Sequence, residues 1–167
     1  MATVAVKLDS SIGSHWTTAC RQAVSDLNAL FRRKGIAVIL SLNGAGPIIS
    51  VKTDPAIAGT AVHGRTSAET DGAGKLIRAN VRLPIKLTIN SPKGIRDAGT
   101  GMAEVIAAHE FVHALGHEPH NTHLMAQTLN KMLGDRAAGD KLQAGAVAMP
   151  PLQLSDDSIE MLKGIWS

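Results

Sequence analysis

Residues 107–127 read AAHEFVHALGHEPHNTHLMAQ and hold five of the chain's seven histidines: His109, His113, His117, His120 and His123. Imidazole is the commonest protein ligand for metals and titrates close to neutrality. His109 and His113 stand four apart in an apolar, helix-like run. Residues at i and i+4 project from one face of a helix, about a turn apart. Two imidazoles so placed can meet one cation at the roughly 2.0–2.1 Å that a zinc–nitrogen bond requires. Glu110 lies one step around the helix, beside such an ion and not on it. A carboxylate there can take a proton from metal-activated water and later hand it to a leaving amine. Each residue type in this His-Glu-x-x-His pattern therefore has a chemical task. The plain alternative is a pair of helix histidines satisfied by backbone or solvent. Against it stand the further histidines immediately downstream, where a third ligand is needed. By the same logic, the isolated His15 and His63 read as surface residues.

The elements that would position these residues follow from periodicity. MAEVIAAHEFVHALG (Met102–Gly116) reads as the helix carrying the motif, with Thr100 as a cap and Gly116 as a left-handed stop. Before it, Thr3–Leu8 reads as a strand. SHWTTACRQAVSDLNALFRRKG reads as a helix with Ser14 as N-cap and Gly35 as stop. Its apolar positions Trp16, Cys20, Ala23, Val24, Leu27, Leu30 and Phe31 form one face. IAVILSL (Ile36–Leu42) reads as a strand buried on both faces because its apolar run is continuous. Ile48–Lys52 and Lys75–Leu83 read as further strands, and Ile85–Asn90 as a strand that extends or follows the last. GTAVHGRT (Gly59–Thr66) reads as a weak edge strand, ETDGAG as a turn and SPKGIRDAGTG as a loop. Residues 121–151 are poorly periodic, with Leu124–Leu133 as a candidate helix. LSDDSIEMLKGIW (Leu154–Trp166) closes the chain as a helix capped by Ser155, with Asp156 and Asp157 in its first turn. The order gives a mixed sheet packed against a few helices.

Composition bounds the function. The 167 residues fit a single domain, and 44% hydrophobic against 19% charged is ordinary for a globular protein. A net charge of +3 with no basic run interleaved with aromatics argues against nucleic acid. No apolar run is long enough to span a bilayer. One cysteine, Cys20, excludes an internal disulfide framework and reads as core. MATVAVKLDSS shows no secretory leader. The chain is therefore expected to stay inside, to leave by a leaderless route, or to be already processed.

HEFVHALGHEPH (His109–His120) resembles the metzincin signature of zinc metallopeptidases, His-Glu-x-x-His-x-x-Gly-x-x-His. AAHEFVHALG is close to the matrixin version. HLM (His123–Met125) looks like the Met-turn that underlies the zinc in that family, and the terminal segment resembles the matrixin terminal helix. The resemblance spans most of the chain, but only the helix motif is specific. It implies an α+β, zincin-like fold: a twisted, mixed, mostly parallel sheet packed against an N-terminal helix and an active-site helix. The upper subdomain would cover about 1–116, and a small lower one about 117–167 would end in a helix. It also implies Zn2+ on His109, His113 and a third histidine, with Glu110 as general base and then acid. The implied activity is that of an endopeptidase on protein or peptide substrates, with extended polypeptide laid antiparallel to the Gly59–Thr66 edge. The expected state is a monomer.

One departure stands out. The family's third histidine falls at position 119, which here is Pro119. A one-residue insertion makes His120 the expected ligand. His117 follows Gly116 directly, with little chain to swing round, and His123 lies further off; both stay open. Met125 arrives early after His120, so the turn is shortened, and it reads equally as a core methionine. With no tyrosine, help for an oxyanion must come from the metal, the backbone or another side chain. Asp71 with Gly72 and Gly74 reads as a plain turn, not a calcium loop. Two other functions fit the same residues: a zinc amidase or hydrolase acting on small or cell-wall peptides, and a non-catalytic zinc-binding module.

Overall fold

The computed structural model describes residues 1–57, 63–129, 132 and 151–167. The fold is α+β, with a mostly parallel mixed sheet. Strand β1 (Ala2–Leu8) is followed by helix α1 (Gly13–Lys34), then β2 (Val38–Ser41), β3 (Ile48–Thr53), β4 (Arg65–Thr70) and β5 (Leu76–Leu83). A small hairpin, β6 (Thr88–Ser91) with β7 (Gly94–Asp97), leads into helix α2 (Thr100–Ala114). A 3-10 turn (His123–Met125) and helix α3 (Asp156–Ile165) come last. The sheet order is β2-β1-β3-β5-β4, in which only β4 runs antiparallel to its neighbour. Among the described residues no helix is long and apolar enough to cross a membrane.

Helix α1 forms where its three-and-four spacing predicts, and all seven expected positions are buried. Gly35 ends it with φ 71°, its N–H donating to Arg32 O at 3.3 Å. The start differs. The helix begins at Gly13, so Ser14 sits inside the first turn and caps nothing. Instead the Asp9 carboxylate takes the N–H of Ser11 at 2.9 Å and tightens the preceding turn.

The expected two-faced burial of Ile36–Leu42 is not found. The strand is shorter, and β2 is an edge strand. Val38 and Leu40 are buried while Ile39 is 39% exposed. A continuous apolar run marks two covered faces only in a strand flanked by others, and here one face is open. The segment expected as a loop after Asn90 contains β7, whose backbone pairs with β6. Gly99, not Thr100, precedes the first turn of α2. Of the expected edge segment Gly59–Thr66, residues 59–62 lie outside the described residues, and β4 starts at Arg65. Of the candidate helix Leu124–Leu133, residues 130, 131 and 133 lie outside them, and the segment opens as a 3-10 turn. The loop expected over 121–151 lies outside them from 133 to 150.

Helix α2 lies between α1 and the sheet on one side and the chain beyond Gly116 on the other. It has almost no solvent face. Eleven of its residues are buried, His109 and Glu110 among them. One hydrophobic cluster joins β1, α1, α2, the 3-10 turn and α3, so the motif helix is held from every direction. Leu27 lies fully buried at the heart of this packing. Leu27→Ala is expected to lower unfolding stability by about 2–5 kcal/mol, read from the urea midpoint at unchanged slope.

Candidate metal centre

The site is built on the last two turns of α2 and the chain that folds back from its end. Gly116 adopts φ 108°, a conformation that side-chain-bearing residues rarely reach. Its N–H donates to His113 O at 3.0 Å, and the N–H of His117 reaches Val112 O at 3.3 Å. A β-carbon at Gly116 would also stand 3.0 Å from Ile165 Cδ1. The chain therefore reverses there, against α3.

This reversal brings His120 to His109 and His113. Their ligand nitrogens all lie within 4.8 Å of one another, and among the described residues no other histidine, cysteine or carboxylate group forms such a cluster. His113 Nε2 is 3.0 Å from His109 Nε2 and 3.2 Å from His120 Nε2. Two nitrogens bound to one tetrahedral zinc at ~2.05 Å lie about 3.3 Å apart, so these spacings suit a shared cation. Burial falls from His109 through His113 to His120, so the cluster opens to solvent on the His120 side.

The opposite ring nitrogens decide the protonation state. His109 Nδ1 lies 2.7 Å from Leu124 O, and His113 Nδ1 lies 2.6 Å from His117 O. A carbonyl only accepts, so each Nδ1 carries the hydrogen. The Nε2 atoms then face one another as lone pairs. Burial, the largest cause, presses the His109 pKa down to about 4 and lowers that of His113 as well, so both rings are neutral at pH 7. Neutral imidazoles with their lone pairs converging are what a divalent ion needs, and the three histidines can hold one.

Glu110, the residue after His109 on α2, reaches Thr66 at the start of β4. Its carboxylate accepts a short hydrogen bond from the Thr66 hydroxyl of β4, and a β-carbon on Gly64 would stand 2.9 Å from its Cγ. The carboxyl is 5% exposed, and burial pushes its pKa up to about 7, with the Thr66 hydroxyl pulling the other way.

The other histidines go elsewhere. His117 is fully buried and turned away from the cluster, its Nε2 hydrogen-bonded to Ser158 Oγ at 2.7 Å. His123 is exposed and opens the 3-10 turn with φ 56°. His15 is exposed, whereas His63, expected at the surface, is half-buried beside Gly64, and its pKa is lowered by that burial. Met125, the last residue of the 3-10 turn, is fully buried. Asp71 forms a turn, its Oδ1 accepting from Ala73 N and Lys75 N at 2.8 and 2.9 Å. Cys20 is buried in α1, which pushes its thiol up to about 12.

Three contributors are invisible in the local sequence: Thr66, Gly64 and the Ser158 hydroxyl. Thr66 meets Glu110 across 44 positions, and Ser158 meets His117 across 41. No protein-family model matches this chain, and no curated protein matches it.

A pH test isolates the buried acid. A carboxyl whose folded pKa is raised favours folding below its unfolded value near 4.5, and that contribution is lost as pH rises through about 7. Glu110→Gln removes the titration. With metal stripped by chelator, wild type is expected to match Glu110→Gln below pH 4.5. By pH 8 it should fall behind by up to ~3 kcal/mol. Denaturant melts of both proteins at pH 4, 6 and 8 measure the difference.

Proposed function

We propose that this chain is a zinc-dependent endopeptidase of the metzincin type, with a zincin-like arrangement of its sheet, helices and lower segment. The observation that carries the reading is the convergence of three imidazole nitrogens, from His109, His113 and His120, on a helix that also carries the buried carboxyl of Glu110. In it, His109, His113 and His120 hold Zn2+. The ion supplies a Lewis acid that acidifies water and polarises the scissile carbonyl.

Glu110 does the proton work. A general base is most effective when its pKa lies near the working pH, because it must both accept and release the proton. Burial brings Glu110 to about 7, so it can take a proton from the attacking water and deliver it to the departing amine. The Thr66 hydroxyl holds one carboxylate oxygen, which orients the other.

Strand β4 gives the substrate a place. Among the described residues it ends the sheet, pairing with β5 on one side, and Thr66 ties it directly to Glu110. An extended polypeptide that adds as a further antiparallel strand gains main-chain hydrogen bonds with little demand on side-chain identity. That favours protein or peptide substrates over small amides. The protein acts as a monomer in this reading.

The test is metal content and cleavage of an unfolded protein by wild type, Glu110→Ala and His120→Ala. Wild type should bind one Zn2+ and cut. Glu110→Ala should keep the ion while cleavage falls about 10²–10⁴-fold, and His120→Ala should lose both. Zinc binding without turnover on any substrate would make the chain a binding module. Cleavage confined to short peptides or peptidoglycan fragments would move it to the small-substrate hydrolases. Full zinc and activity in His120→Ala would place the third ligand elsewhere.

A further inference from the structure

The ties that orient the imidazole cluster all come from one segment, residues 117–125. His117 O accepts from His113 Nδ1, Leu124 O accepts from His109 Nδ1, and His120 lies between them. The segment closes on itself through the Asn121 N–H donating to Met125 O at 2.8 Å. What fixes this segment in turn is a buried polar knot at the start of α3.

Ser158 is fully buried, and its hydroxyl is bonded to three side chains. His117 Nε2 lies 2.7 Å away, Asn121 Nδ2 donates to it at 2.8 Å, and Ser155 Oγ lies at 3.0 Å. Ser155 is also the N-cap of α3, accepting from the Ser158 N–H at 3.1 Å, so the knot is built into the helix start. At the other end of α3, Trp166 Nε1 donates to Leu115 O at 2.9 Å. Helix α3 thus grips the reversal after α2 at Leu115, His117 and Asn121, on both sides of His120.

We propose that Ser158 is a positioning residue for the metal centre: through His117 and Asn121 its hydroxyl sets the carbonyl that orients His113 and the backbone that presents His120. This rests on the metal-binding part of the proposed function and not on peptidase activity. Groups bonded directly to metal ligands typically change metal affinity by about 10–100-fold when removed, and Ser158 acts one link further out, through His117 and Asn121. An apolar residue would fill the space of Ser158 equally well if packing were its only task. A buried hydroxyl shared by His117, Asn121 and Ser155 instead imposes direction on each of them.

The experiment uses the full chain. Zn2+ affinity is measured by competition with a chromophoric chelator, and ligand geometry by the visible absorption of the Co2+-loaded protein. Ser158→Ala is expected to bind Zn2+ more weakly by up to about 10-fold, the low end of what direct partners of metal ligands contribute, with an altered Co2+ spectrum. Asn121→Ala, at an exposed position, breaks the Asn121 arm of the knot and leaves the His117 arm, and should shift both readouts in the same direction even if Ser158→Ala fails to fold. Ile159→Val loosens the packing of the same helix without touching the knot. It should lower the melting temperature and leave affinity and spectrum unchanged. Wild-type affinity and spectrum in both knot variants, or an equal loss in Ile159→Val, would overturn the positioning role alone. A wild type that takes up neither ion would overturn the metal centre itself.

Discussion

Two nitrogen lone pairs face each other across 3.0 Å at the end of helix α2, and each ring is tied at its other nitrogen to a backbone carbonyl. Rotating His109 or His113 would break its bond to Leu124 O or His117 O and leave a polar group stranded beside a largely apolar helix. Such a loss costs about 1–3 kcal/mol. Protonating a ring would relieve it too, but burial holds the His109 pKa down to about 4. A divalent cation between the nitrogens removes the conflict at once. An ion bound by the folded chain and not by the unfolded one would add its binding energy to folding stability.

The same burial that keeps the imidazoles neutral raises Glu110 toward neutrality. One environment therefore tunes an acid and two bases in opposite directions, because each is pushed toward its uncharged form. This follows from where α2 lies. A helix exposed along one side would leave at least one of these residues in water with an ordinary pKa. Helix α2 instead has packing on nearly every face, with α1 and the sheet on one side and the chain beyond Gly116 on the other.

The parts legible in the sequence are those set by short spacing. The i, i+4 histidines, the apolar face of α1, the Gly35 and Gly116 stops and the Ser155 cap all depend on residues within a turn or two, and each is where its spacing predicts. The parts that were not legible depend on neighbours far along the chain. Burial of β2 on one face only reflects its place at the sheet edge, which a single apolar run cannot reveal. Pairing of β7 with β6 turns residues that read as a loop into a hairpin. His117 was one of three candidate ligands until its partner was known. Its spacing leaves little chain to swing round but does not exclude it, and its bond to Ser158, 41 residues on, holds it outside the cluster.

The position of His120 shows why a distant clamp matters. Relative to the resembling signature, one extra residue separates Gly116 from the candidate third ligand. A longer segment between fixed points explores more conformations, and each residue ordered costs about 1–2 kcal/mol of backbone entropy. Without compensation, His120 would meet the other two rings only part of the time, and any ligand that depends on a partly populated arrangement binds more weakly by that fraction. Here the segment from His117 to Met125 is fastened at Gly116 against Ile165, at His117 and Asn121 by the start of α3, and at Leu124 by the N–H it donates to Gln153 O. Burial of Ile159, Leu162 and Trp166 holds α3 in place, and with it the fastenings of this segment. The lengthened turn and the polar knot are thus two halves of one solution: the first gives His120 its reach, the second removes the freedom that reach would otherwise bring.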